Sequence, residues 1–93
     1  MVCVLIKIKL YGDLKRRAGV GEIEMDAKGR RLSKIIEEIA GRYGIADLIY
    51  RKGRIRGELL ILVNGADWNS LGYLDKEVSD GSIIKLVPVW HGG

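Results

Sequence analysis

The stretch Leu59-Leu-Ile-Leu-Val63-Asn64-Gly65-Ala66-Asp67-Trp68 constrains the fold more than any other part of the chain. Its first half is an unbroken apolar run, short enough to be a strand buried in a sheet and too short for a buried helix. Asn-Gly directly after it is the strongest two-residue hairpin signal, because a type I′ turn needs positive φ at both central positions. Residues 66–68 are therefore expected to return as a short antiparallel strand. A lone hairpin is marginal in water, so the rest of the chain has to supply strands or a helix to cover it.

Those partners are visible. Residues 2–10 begin as a continuous apolar run and alternate Ile/Lys/Ile/Lys/Leu from Ile6. The pattern predicts a strand buried on both faces at its start and on one face later. Tyr11-Gly12-Asp13 ends it, and residues 14–19 read as a basic turn or loop. Residues 22–26 alternate again, giving a second strand with one wet face and a hairpin with the first. Residues 83–87 form the last strand, closed by Pro88. The first and last strands are the most apolar, so they are expected side by side at the sheet centre, and parallel with a crossover helix between them.

That helix is written as one stripe. Leu32, Ile35, Ile36, Ile39, Ala40 and Tyr43 fall at i, i+3, i+4, i+7, i+8 and i+11, with Lys34, Glu37, Glu38 and Arg42 off it. Ser33 is a candidate cap and Gly44 the stop. Residues 45–58 carry the weakest pattern: Leu48-Ile49-Tyr50 suggests a short helical turn, followed by Arg51-Lys52-Gly53-Arg54-Ile55-Arg56. Residues 69–82 read as a polar connection ending at the Asp80-Gly81 turn. The whole is an α+β domain, a mixed sheet of four to five strands packed on one main helix.

Composition excludes several classes of function. A chain of 93 residues fits one domain with one core. Cys3 stands alone in an apolar run, where a thiol behaves as a small hydrophobe and no internal disulfide can form. His91 is the single histidine, so the usual His/Cys metal sites are not expected. No catalytic constellation is visible, and the chain reads as a non-enzyme. Neither a signal peptide nor a bilayer-spanning run is seen, which points to a cytoplasmic protein. Charge is uneven. Residues 1–56 hold 14 basic and 7 acidic side chains, and residues 57–93 hold 2 and 5, which together give the net charge of +4. Such a dipole steers docking to a charged partner. The basic segment 51–56 with Lys15-Arg16-Arg17 fits a solvated loop, an acidic partner or RNA, but lacks the interleaved exposed aromatics of a base-stacking surface.

The sequence closes on Pro88-Val89-Trp90-His91-Gly92-Gly93. Residues 1–88 are expected to form the folded domain and 89–93 a flexible tail ending in Gly-Gly. Two residues without Cβ are the thinnest backbone available for threading into another protein. The segment from Leu59 to Gly93 resembles the MoaD/ThiS branch of ubiquitin-like sulfur carriers, which share the β-grasp fold. Its apolar strand, Asn-rich turn, Leu-rich connection, Asp-Gly turn, final strand and Gly-Gly all match. Ala66-Asp67-Trp68, Leu71-Gly72, Leu74-Asp75 and His91-Gly92-Gly93 most resemble the ubiquitin-related modifier and small archaeal modifier group. Molybdopterin-type carriers usually have a small residue directly before Gly-Gly, so Trp90-His91 favours the modifier-like role.

The resemblance implies a carrier. The Gly93 carboxylate would be adenylated by a ubiquitin-activating-like partner using ATP. A sulfurtransferase would convert it to a thiocarboxylate, for tRNA thiolation or molybdopterin synthesis, or lysines of target proteins would take it as an isopeptide. His91 and Gly92 would thread, and Pro88 and Trp90 would dock the partner, with Trp90 packed on the last strand's end as the other reading of that residue. The apolar sheet face beside the tail would seat the activating enzyme. No bound cofactor or metal is implied. Two alternatives stand beside this: the small subunit of molybdopterin synthase, bound to the large subunit, and a β-grasp RNA-binding module with an inert tail.

Overall fold

The computed structural model describes residues 5–90. Five strands form one mixed sheet in the order β2-β1-β7-β5-β6, where β1 is Ile6–Leu10, β2 Glu22–Met25, β5 Leu59–Val63, β6 Ala66–Asp67 and β7 Ile83–Pro88. A ribbon of β3 (Tyr50–Arg51) and β4 (Arg54–Ile55) stands apart. Helix α2 (Leu32–Arg42) is the main helix, with shorter helices α1 (Gly12–Ala18), α3 (Ala46–Ile49) and α4 (Trp68–Leu71). The expected centre is observed: β1 and β7 run parallel, with Ile8 opposite Ile84 and Leu10 opposite Leu86. β7 also pairs antiparallel with β5, Leu86 opposite Ile61.

Alternation along each strand sorts the sheet into two faces. Ile6, Ile8 and Leu10, with Leu59, Ile61 and Val63, point to the side where α2 lies and are fully buried with Ile35, Ile36 and Ile39. The opposite face carries Leu60, Leu62, Ile83, Lys85 and Val87, and none of these is fully buried. Of the doubly buried start expected for the first strand, residues 2–4 lie outside the described residues, and Leu5 departs from it. Leu5 lies before β1 and is 42% exposed, because helices cover only one side of the sheet.

The hairpin turn holds as read. Asn64 and Gly65 have φ of +51° and +91°, as a type I′ turn requires. Asn64 has a second role, since its side chain accepts from Ile83 N at 3.0 Å and donates to Ser82 Oγ at 3.1 Å, tying the turn to the start of β7. The returning strand is shorter than expected. It stops at Asp67, and Trp68 opens α4, because Asp67 accepts from Asn69 N (3.1 Å) and Ser70 Oγ (2.6 Å) as a helix cap. The polar connection thus begins with a helical turn.

Desolvation pushes the Asp67 carboxyl up, but hydrogen bonds from Ser70, Ile61 and Asn69 outweigh it and hold the group below the usual aspartate range. A depressed folded pKa contributes stability that is present above the unfolded value, about 3.9, and lost as pH falls through the folded value. Asp67→Ala should therefore lower stability by about 1 kcal/mol near neutral pH. The gap in melting temperature from the parent should narrow as pH drops below about 4. A gap that stays constant into acid would show that the charge is not what caps α4.

Residues 14–19 were expected to be a loop, and most of them form α1 instead. Leu14 is fully buried and Ala18 packs on the core, so one anchored turn suffices. Asp13 sits in the first turn and Lys15, Arg16 and Arg17 in the last, matching the helix dipole, and Gly19 closes it in a left-handed conformation. Gly12 must be glycine: φ is +56°, and a Cβ there would lie 3.1 Å from Pro88 Cγ. Helix α2 matches its stripe, but Ser33 is not its cap. Arg31 holds that position, Leu32 N donates to Lys76 O (3.0 Å) and Ser33 N to Leu74 O (2.8 Å). The segment after α4 therefore satisfies the first amides of α2. Most of residues 51–56 fall in the β3/β4 ribbon, which pairs Tyr50 with Ile55 and Arg51 with Arg54 and is turned by Lys52 and Gly53 at φ of +53° and +78°.

Candidate functional site

The sheet delivers the C-terminal segment from its middle. β7 is flanked on both sides, and Val89 N continues the pairing by donating to Glu58 O at 3.1 Å. Strand alternation sends Val87 and Val89 to the uncovered face and carries Pro88 and Trp90 towards the helices. Pro88 pairs with Leu59 and meets Gly12 at the start of α1.

Trp90 lies half-buried against the core between α1 and the exit of the ribbon. Its Nε1–H donates to Asp13 Oδ2 at 3.3 Å, and the Arg56 guanidinium carbon sits 4.1 Å from the ring centroid. Arg56 is in turn paired with Glu58 at 3.4 Å, and Asp13 with Arg16. The indole is thus held from both sides, by a hydrogen bond at its edge and a cation over its face. Asp13 and Arg56 were not legible as tail-holding residues. They lie far from Trp90 in sequence, and nothing local marks them.

Of the residues that the sequence singled out, Pro88 and Trp90 come together at this exit, while His91, Gly92 and Gly93 lie outside the described residues, as does Cys3. Among the described residues no cluster of His, Cys, Asp and Glu could hold a metal ion, and no helix is long and apolar enough to cross a membrane. Trp68 packs partly on the core and meets Tyr73 edge-on at 5.9 Å, with Lys76 Nζ 4.6 Å from the Tyr73 ring. Asn69 secures the ribbon's return by donating to Arg56 O (3.0 Å) and Leu59 O (2.9 Å). These contacts hold the end of β7 and the indole of Trp90 against α1 and the ribbon.

A mixed sheet that grips one main helix and presents its C-terminal segment from the central strand defines a ubiquitin-like β-grasp protein. The chain belongs to the ThiS family, whose model matches residues 8–93. It is 29% identical over 65 residues to ubiquitin-related modifier 1 of Vanderwaltozyma polyspora, covering 70% of this chain and 63% of that protein, so it spans a little under two-thirds of that relative. It is 30% identical over 89 residues to the ubiquitin-related modifier 1 homolog of Drosophila willistoni, covering 90% of this chain and 83% of that one. The small archaeal modifier protein 1 of Methanosarcina acetivorans superposes over the full length of both chains with a TM-score of 0.80 at 24% identity, which shows the shared fold.

Proposed function

We propose that this chain is a ubiquitin-like sulfur carrier and protein modifier, acting through the carboxylate of Gly93. One observation carries the reading: the ThiS match runs through residue 93, on a fold whose central strand leads there. A carboxylate is a poor acyl donor until it is activated. Its oxygen attacks the α-phosphate of ATP, pyrophosphate leaves, and an acyl-adenylate remains. A persulfide on a partner then attacks the acyl carbon and AMP leaves. A second thiol cleaves the resulting acyl disulfide to free the thiocarboxylate. A lysine amine attacking instead yields an isopeptide.

The adenylating enzyme and the sulfurtransferase supply ATP binding and catalysis, and this chain supplies an acyl group on a folded handle. In this reading Gly92 and His91 thread the partner's channel, Pro88 and Trp90 meet its entrance, and the uncovered face around Leu60, Leu62 and Val87 seats its body. The work would take place in the cytoplasm.

The test is the intact mass of the protein purified from its own cells, with fragmentation of the C-terminal peptide. Sulfur in place of one oxygen at Gly93, or Gly93 joined to a lysine of another protein, is the expected result, and the adduct found separates carrier from modifier. A bare carboxylate that the cell's adenylating enzymes also fail to activate with ATP would sink the proposal.

A further inference from the structure

The fold gathers all of the chain's net charge around the point where the tail leaves. Lys15, Arg16 and Arg17 lie on α1, and four more basic residues lie on or beside the β3/β4 ribbon at positions 51–56. These two segments are distant in sequence, yet contacts join them. Arg17 pairs with Asp47 of α3 at 2.9 Å, and α3 runs straight into β3. Asp13 of α1 and Arg56 hold opposite sides of Trp90. Glu58 receives both Arg51 (3.8 Å) and Arg56 (3.4 Å). Across α1, α3 and residues 50–58, which make up this collar, there are seven basic side chains and three acids, Asp13, Asp47 and Glu58, for a net +4. The other nine basic and nine acidic residues of the chain cancel, so the whole +4 of the protein resides here.

We propose that this collar docks an acidic rim around the channel mouth of the enzyme that receives the tail. The inference rests on the function proposed above and adds to it the chemistry of the partner's surface. Three residues follow Trp90, and even fully extended they reach at most about 10 Å. A protein that takes Gly93 into its active site while Trp90 stays in place must therefore press its entrance onto the collar. Positive charge meeting negative there would speed encounter and orient it tail first.

The collar suits carboxylates better than nucleic acid. Several of its guanidinium groups already hold carboxylates, so a partner's acids can share or replace Asp13, Asp47 and Glu58 without remodelling the face. The aromatic at its centre, Trp90, has Arg56 over its ring and Asp13 at its edge, which leaves it ill placed to stack on a base.

The test uses the full-length chain, ATP and the adenylating enzyme of the same cells, with acyl-adenylate formation read by pyrophosphate exchange over a range of salt. Lys15→Glu, Lys52→Glu and Arg54→Glu combined reverse exposed collar charges that hold neither Trp90 nor Glu58. Lys28→Glu, Arg31→Glu and Lys34→Glu combined make the same change in net charge outside the collar. We expect the collar variant to lose about tenfold or more in kcat/KM at low salt, mainly through KM, with a flattened salt dependence. The control should lose no more than about twofold. Melting curves of both variants check that each is folded.

Equal losses in the two folded variants would overturn the collar while leaving the proposed function intact. So would wild-type protein that binds bulk tRNA through these residues while the collar variant is adenylated normally, a result that would assign the face to RNA. A wild-type chain that is never adenylated would fail the proposed function first and this inference with it.

Discussion

A chain lacking Gly92 and Gly93 melts at the temperature of the full protein and forms no detectable acyl-adenylate. The stability half of this expectation follows from where the core lies. Every buried apolar residue of the described structure falls between Ile6 and Leu86, and Trp90, the last described residue, remains in the shortened chain. The activity half follows from reach. Cutting two residues moves the terminal carboxylate back by about 7 Å along an extended backbone. Misplacing a reacting group by even 1 Å can cost about a hundredfold in rate, so the loss should be at least that large. Gly92→Val complements the deletion by keeping the length and adding a branched side chain where the channel must close around bare backbone. It should leave melting unchanged and reduce activation nearly as much. Full activation of either variant would place the reacting group elsewhere in the protein.

The parts of this molecule that were legible in its sequence are those fixed by local periodicity. The α2 stripe, the alternation in β1, β2 and β7, and the Asn64-Gly65 turn each need only neighbouring residues to specify them. The central parallel pairing of β1 with β7 was also expected, though apolarity alone does not single it out, because β5 is the most uniformly apolar strand. The tail residues were singled out by their chemistry alone, and His91, Gly92 and Gly93 lie outside the described residues.

What escaped the sequence depends on tertiary contact. Helix α1 has one fully buried residue, Leu14, in seven, so no stripe betrays it. The start of α2 is satisfied by carbonyls of residues 74 and 76 rather than by its own cap, a solution set by how the chain returns. Lys52-Gly53 makes a tight turn that an Asn would have advertised and a lysine conceals. Above all, the sequence shows a basic first half and an acidic second half, and folding converts this into a basic collar around one exit. That conversion needs α1, α3 and the ribbon to meet, and only long-range packing brings them together.

Leu86 and Val87 are neighbours on the central strand and point to opposite faces, so truncating each should separate folding from docking. Leu86 is fully buried between Leu10 and Ile61. Leu86→Ala should lower stability by about 3–4 kcal/mol, from the lost burial and the cavity left behind. A domain of this size has roughly 5–10 kcal/mol in all, so the urea midpoint should fall by about a third or more with little change in the slope of the transition. Where the variant is still folded, its activation kinetics should resemble wild type, because the outer face and the tail are untouched. Val87 is half-buried on the uncovered face opposite Leu60. Val87→Ala should cost about 1 kcal/mol or less in stability. If the activating enzyme sits on that face, KM should rise several-fold, as expected for a contact worth about 1 kcal/mol. The discriminating result is the crossing of the two effects. A Val87→Ala protein that is activated as well as wild type would remove this face from the docking surface and leave the collar around Trp90 to do the recognition by itself.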